Sequence, residues 1–163
     1  MYKIIKILWY VVYDWVAIFL YHGMAWFNRP PEKWKTGDKG DVVYVSGWNE
    51  HWTWGWRLLD ELNKQGFRIW LCDELEKKHG FEKISVSTEI LNKFLKEENL
   101  ENVIVIGHSK GGLIGQYLVD HLDVKNRVKK MIAVASPFGG TMWAFVPMMS
   151  LNEMVKGGSL AKE

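Results

Sequence analysis

The stretch from Val103 to Leu122 constrains this chain more than any other. Val103-Ile104-Val105-Ile106 is a short apolar run, the length of a strand buried on both faces. Gly107-His108-Ser109-Lys110-Gly111-Gly112 follows at once, and a helical pattern then runs over 113–122. A strand that turns into a helix within so few residues brings its backbone segments too close for flanking side chains. Glycines at 107 and 111 remove the Cβ atoms that would clash there. Ser109 is then presented at the tip of a tight turn. The positive end of the following helix faces any oxyanion that forms beside it.

The rest of the chain alternates in the same way. Val42-Val43-Tyr44-Val45 reads as a buried strand, and 54–65 as a helix ending at Gly66, with Leu58, Leu59 and Leu62 on one face. Phe67 to Cys72 is the next strand. Residues 87–98 carry apolar side chains at 90, 91, 94 and 95, a helical spacing. Met131 to Ala135 is a fourth strand, again reading as buried on both faces. This alternation predicts an α/β fold: a parallel sheet with right-handed crossovers and helices on both faces.

Bulk properties remove several function classes. The 163 residues make about one domain, and 48% hydrophobic content is enough for a real core. A net charge of +2 with no basic stripe gives no reason to expect a nucleic-acid partner. The single cysteine, Cys72, excludes an internal disulfide framework. No clustered His/Cys spacing points to a metal, and no organic cofactor is implied. Ten tryptophans are many for this length, and four of them fall between Trp48 and Trp56.

The N-terminal segment is apolar on every side. Between Ile7 and Phe27 only Asp14 and His22 are strongly polar. As a helix these residues would extend about 31 Å, close to the hydrocarbon thickness of a bilayer. Tyr2, Trp9 and Tyr10 lie near one end and Tyr21, Trp26 and Phe27 near the other, as an aromatic belt requires. Lys3 and Lys6 precede it, but Met24-Ala25-Trp26-Phe27-Asn28 offers no small-x-small cleavage site, so an uncleaved anchor is expected. Asp14 would cost about 2.5–3.5 kcal/mol near the centre of a span. A helix lying in the membrane interface, or packed on the domain, is the alternative. The expected organisation is an anchor helix over 1–27, a linker over 28–41 with Pro30-Pro31, Gly37 and Gly40, and a partial α/β domain over 42–163.

With strand and helix in place, Gly107-His108-Ser109-Lys110-Gly111 resembles the nucleophile elbow of the α/β-hydrolase superfamily, in its lipase and esterase branch. The resemblance implies that Ser109 is the nucleophile and that the Lys110 backbone N–H is one oxyanion donor. Ser46-Gly47-Trp48 resembles the lipase strand end followed by His-Gly and a bulky residue, which implies that Trp48 supplies the second N–H. Ser46 stands where lipases often have His. Ala135-Ser136-Pro137-Phe138-Gly139-Gly140-Thr141 resembles a lipase segment in which Phe138 replaces the usual His. Residues 154–160 look like a later Pro-Gly-Ser-x-x-Leu segment, and 143–149 could begin a lid or belong to the core. The resemblance spans about residues 42–163. In the family the corresponding strands lie in spatial order second, first, third, fourth. The sheet would then reverse between Val42–Val45 and Val103–Ile106, and ligands bind beyond the carboxyl ends of strands at such a point.

In this fold the acid and the histidine base follow the serine in the chain. The one later histidine, His121, lies about 18 Å along the same helix, outside hydrogen-bond reach. Asp120 and Asp123 fail for the same reason. His108 adjoins the serine but should point away, and His51, in the tryptophan-rich loop, has the wrong order for the family. The sequence therefore leads to the N-terminal part of a membrane-anchored serine hydrolase acting on carboxylic esters, lipids among them. Its acid and base are expected beyond Glu163, with further strands to cover the edge left at Met131–Ala135. Two rivals stand beside it: a non-catalytic hydrolase-like module binding a lipid or a protein partner, and an acyltransferase or thioesterase on the same fold.

Overall fold

The computed structural model of the chain describes residues 2–27, 29–123 and 125–140. Strands β1 (Gly40–Val45), β2 (Phe67–Leu71), β3 (Val103–His108) and β4 (Val128–Val134) form one parallel sheet. Its order is β2-β1-β3-β4, the spatial order expected. The described helices are α1 (Tyr2–Phe27), α2 (Trp56–Lys64), α3 (Asp73–Lys78), α4 (Ile84–Glu97) and α5 (Lys110–Tyr117), with short 3-10 turns at Glu32–Lys35 and Trp52–Trp54.

The pleat of β1 divides the core. Val43 and Val45 point to one face, where Leu91 and Leu95 of α4 and Leu113 and Ile114 of α5 cover them. Val42 and Tyr44 point to the other, against Leu59 of α2, Ile69, Trp34 and Trp52. Burial on both faces is what lets a parallel strand read as an unbroken apolar run. Each fully buried aliphatic side chain contributes roughly 1.5–3 kcal/mol. The β1–β3 register pairs Tyr44 with Ile106 and Val45 with Gly107. Continued past the strand ends, it carries the Ser46-Gly47 turn alongside His108-Ser109.

Several elements differ from expectation. The helix expected over 54–65 is a 3-10 turn followed by the shorter α2, and Leu58 is exposed because Leu59, one position round the helix, faces the sheet. The helical pattern expected over 113–122 begins earlier, at Lys110, and widens into a π turn at Leu118–Leu122. The α3 helix was not expected, although its first turn holds Asp73, Glu74 and Glu76 and its last holds Lys77 and Lys78, the charge order a helix dipole favours. Within 28–41, Trp34 is fully buried and meets Trp52 edge-to-face at 5.4 Å. β4 is not buried on both faces: Lys129, Lys130, Ala133 and Val134 are exposed, because among the described residues only β3 pairs with it.

The expected transmembrane span is also corrected. At 26 residues α1 has the length, yet no described helix is long and apolar enough to cross a membrane. Lysines, tyrosines, Asp14 and His22 lower its mean hydropathy. Near its C-terminal end α1 docks on the tryptophan-rich turn. The Thr53 hydroxyl donates to the Tyr21 carbonyl at 2.9 Å, and the Tyr21 ring lies 5.4 Å from that of Trp54. Trp9, Tyr13, Val16, Leu20 and Phe27 remain exposed along one stripe. The segments 143–149 and 154–160 lie outside the described residues.

Candidate active site

β3 ends at His108 and α5 begins at Lys110, so Ser109 alone makes the turn, at φ 52° and ψ −121°. A non-glycine residue held there stores about 1–3 kcal/mol of strain. Hydrogen bonds hold it: the Ser109 N–H donates to the Val134 carbonyl at 2.9 Å, and the Gly112 N–H donates to the Ser109 carbonyl at 3.1 Å. The flanking glycines are needed for packing. A Cβ on Gly107 would strike the Gly111 carbonyl, and one on Gly111 would lie 2.8 Å from the Val45 carbonyl carbon.

The loop after β1 meets this turn. A Cβ on Gly47 would sit 2.8 Å from the Ser109 Cβ, so the two backbones approach as closely as glycine permits. The Gly47 N–H is engaged, donating to Glu50 Oε2 at 2.8 Å. The Trp48 N–H bonds no described residue. The Lys110 N–H opens α5, at the positive end of that helix. Its side chain runs the other way and is fully buried, donating from Nζ to the carbonyls of Gly80 (3.0 Å) and Glu82. The 79–82 loop so held packs over the turn, with Phe81 edge-to-face on Trp48 at 5.5 Å and the Asn49 N–H donating to the His79 carbonyl at 2.6 Å.

Two carboxylates, Glu50 buried and Glu76 partly so, brace the loop between Ser46 and Trp52, and sequence reasoning missed both. Glu76 of α3 accepts from the Ser46 hydroxyl and, at 2.8 Å, from the Trp52 N–H, so it holds both ends. Burial raises its pKa to about 7, against the opposing effect of those two hydrogen bonds. Glu50 lies within the loop and also meets His108, whose Nδ1 is 2.7 Å from Glu50 Oε2. That hydrogen bond raises the His108 pKa against the effect of burial. Tyr44 beneath is held protonated by burial and by the charges of Glu50 and Glu76. The sequence signal for these carboxylates is faint, since nothing local marks the distant side chain each will meet.

No histidine among the described residues hydrogen-bonds the Ser109 hydroxyl. His51 instead packs against His79 at 4.4 Å and His22 of α1 at 5.4 Å between ring centroids. Burial lowers its pKa to about 4, with help from His79 and His22. His121 stacks on Tyr117 at 4.3 Å, toward the far end of the helix that Ser109 opens. Asp123 caps the entry to β4, accepting from the Arg127 and Val128 N–H groups at 2.7 and 2.8 Å, and Asp120 accepts from Gln116. Phe138 is half exposed beyond β4. Cys72 is buried and burial pushes its thiol up to about 11, which makes it a poor nucleophile. Among the described residues no cluster of His, Cys, Asp or Glu could hold a metal ion. A groove of about 520 Å³ runs along the open edge of β2 past Trp34, Trp70 and Phe94, but no residue of the Ser109 turn lines it.

The strand order, the strained serine between strand and helix, and the glycine loop packed on it are parts of one architecture. Residues 41–156 match the sequence model of the alpha/beta hydrolase fold family, and the chain belongs to that family. Solved structures agree on the fold. A mature lipase of Bacillus licheniformis superposes with a TM-score of 0.62 at 17% identity, over 80% of this chain and 58% of its own. A monoacylglycerol lipase of Paleococcus ferrophilus gives 0.55 at 23% identity, over 66% and 42%. An esterase of Exiguobacterium antarcticum gives 0.51 at 20% identity, over 72% and 46%. The chain thus spans less than two thirds of the length of each. No curated protein sequence matches it significantly.

Proposed function

We propose that the protein is a serine hydrolase of carboxylic esters, lipid esters among them. In this reading the Ser109 hydroxyl adds to the ester carbonyl and its proton passes to a general base. The tetrahedral oxyanion accepts hydrogen bonds from the Trp48 and Lys110 N–H groups. Collapse expels the alcohol, which takes up that proton, and water then releases the acid from the acyl-enzyme. The observation that carries the reading is the backbone of Ser109, held in a strained turn with Gly47 packed against it. Gly107 and Gly111 are geometric parts of the same turn. This reading takes its acid and base from outside the described residues, after the serine in the chain order that the family uses.

The substrate class follows from the esterases and lipases the fold resembles, and from the aromatic surroundings of Trp48 and Phe81. The exposed stripe of α1 suits a membrane surface, in whose interface Trp9, Tyr13, Leu20 and Phe27 would lie. The test is covalent. The full-length protein should react with an alkyl fluorophosphonate, and Ser109→Ala should abolish labelling and hydrolysis of p-nitrophenyl esters. Labelling that survives the substitution refutes the assignment.

A further inference from the structure

One carboxylate oxygen joins the two loops on which this reading depends. Glu50 Oε2 accepts from the Gly47 N–H at 2.8 Å and lies 2.7 Å from Nδ1 of His108, the residue just before the serine. The contact with His108 bridges 58 positions of sequence. The Glu50 side chain is only 11% exposed, so its charge is poorly screened by solvent. It is also badly placed for catalysis when unpaired: the amide it holds precedes that of Trp48, where negative charge would develop. An uncompensated carboxylate beside that point would oppose the transition state by on the order of 10–100-fold.

We propose that Glu50 and His108 act as a positioning pair that locks the Gly47 loop to the Ser109 turn and cancels the carboxylate charge beside the oxyanion site. The proposal rests on the hydrolase reading above. The geometry separates the two tasks. The carboxylate fixes the Gly47 peptide, and through it the direction of the Trp48 N–H. The imidazolium, donating from Nδ1, supplies the positive charge that makes the carboxylate tolerable. Glu50 also faces Tyr44 of β1 and Glu76 of α3 across the loop. A phenol and a carboxyl group carry no positive charge in any protonation state, so neither replaces His108 as the cation. The raised proton affinity of His108 keeps the pair ionised to higher pH than an isolated imidazole would allow.

A charge-balancing role predicts a pattern that a structural hydrogen bond does not. In the full-length protein, with p-nitrophenyl butyrate as substrate, His108→Gln should lower kcat by about 10–100-fold and change KM by no more than about twofold. Glu50→Gln keeps an acceptor for Gly47 and removes the charge, so it should cost less. The double variant, neutral on both sides, should recover most of what His108→Gln loses. An alkaline limb in kcat, from loss of the His108 proton, should be present in the wild type and absent in Glu50→Gln. By NMR, the His108 titration should move to lower pH in Glu50→Gln, because burial then acts without the opposing carboxylate, a readout that needs no turnover. A double variant as slow as His108→Gln, or a His108 titration unmoved by Glu50→Gln, overturns the pairing while Ser109 labelling leaves the hydrolase reading intact. A wild type without Ser109-dependent turnover overturns both.

Discussion

Replacing Gly47 by alanine tests the site at its narrowest point. The added Cβ would lie 2.6 Å from Glu50 Oε2 and 2.8 Å from the Ser109 Cβ. Ordinary contacts of this kind begin near 3.4 Å. The loop must therefore shift by about 0.6–0.8 Å, or Glu50 must release the Gly47 N–H. A misplacement of about 1 Å costs on the order of 10²-fold in rate, and overpacking of this kind typically costs about 1–3 kcal/mol in stability. The substitution should thus lower kcat for p-nitrophenyl ester hydrolysis by about 10²-fold with little change in KM. The rate of fluorophosphonate labelling should fall with it. Trp48→Phe is the matched control: it keeps the backbone N–H and should retain much of the activity. Wild-type kcat in Gly47→Ala, or equal mild losses in the two variants, would refute the placement of the oxyanion donors in this loop.

Three further outcomes follow from the fold. Leu91 is fully buried between α4 and the sheet, so Leu91→Ala should lower unfolding stability by about 2–5 kcal/mol in thermal or urea denaturation. His51 is held neutral in the fold, with its pKa lowered from 6.5 to about 4, so the folded state binds fewer protons than the unfolded one in that window. Its contribution is present above pH 6.5 and is lost as pH falls toward 4. His51→Gln should flatten the acid slope of Tm over that range. Finally, the full-length protein should bind phosphatidylcholine vesicles through high salt, because the stripe on α1 is apolar. Deleting residues 1–27 should abolish that binding, and extraction of the intact protein by salt alone would rule out α1 as the lipid contact.

What could be read without a structure was local. Four apolar runs of strand length, the glycines around Ser109 and the glycine after β1 are each set by neighbours in sequence. Backbone sterics and period-2 or helical patterning act over a few residues, and they identified the strand–turn–helix unit and the α/β class. The chain's own charge order would have disclosed α3 as well. Apolarity misled where it depends on what lies outside the segment. Met131 to Ala135 has the composition of an interior strand, but among the described residues only β3 pairs with β4, and α1 has the length of a membrane span without its hydropathy.

The tertiary structure decided the pairings. Glu50 meets His108, and Glu76 meets Ser46 and Trp52, because parallel pairing of β1 with β3 and the return of α3 bring distant side chains to one end of the sheet. Trp34, inside an apparently polar connection, is buried by α2 and the Trp52 turn. The amino-acid sequence by itself determined that a serine would stand on a strained turn at a strand's carboxyl end, since glycine spacing and an adjacent apolar run suffice for that. Only the fold determined which carboxylates would brace the facing loop and which imidazole would carry the compensating charge. Desolvation and hydrogen bonding across long sequence separations depend on burial, and burial exists only once the sheet has formed.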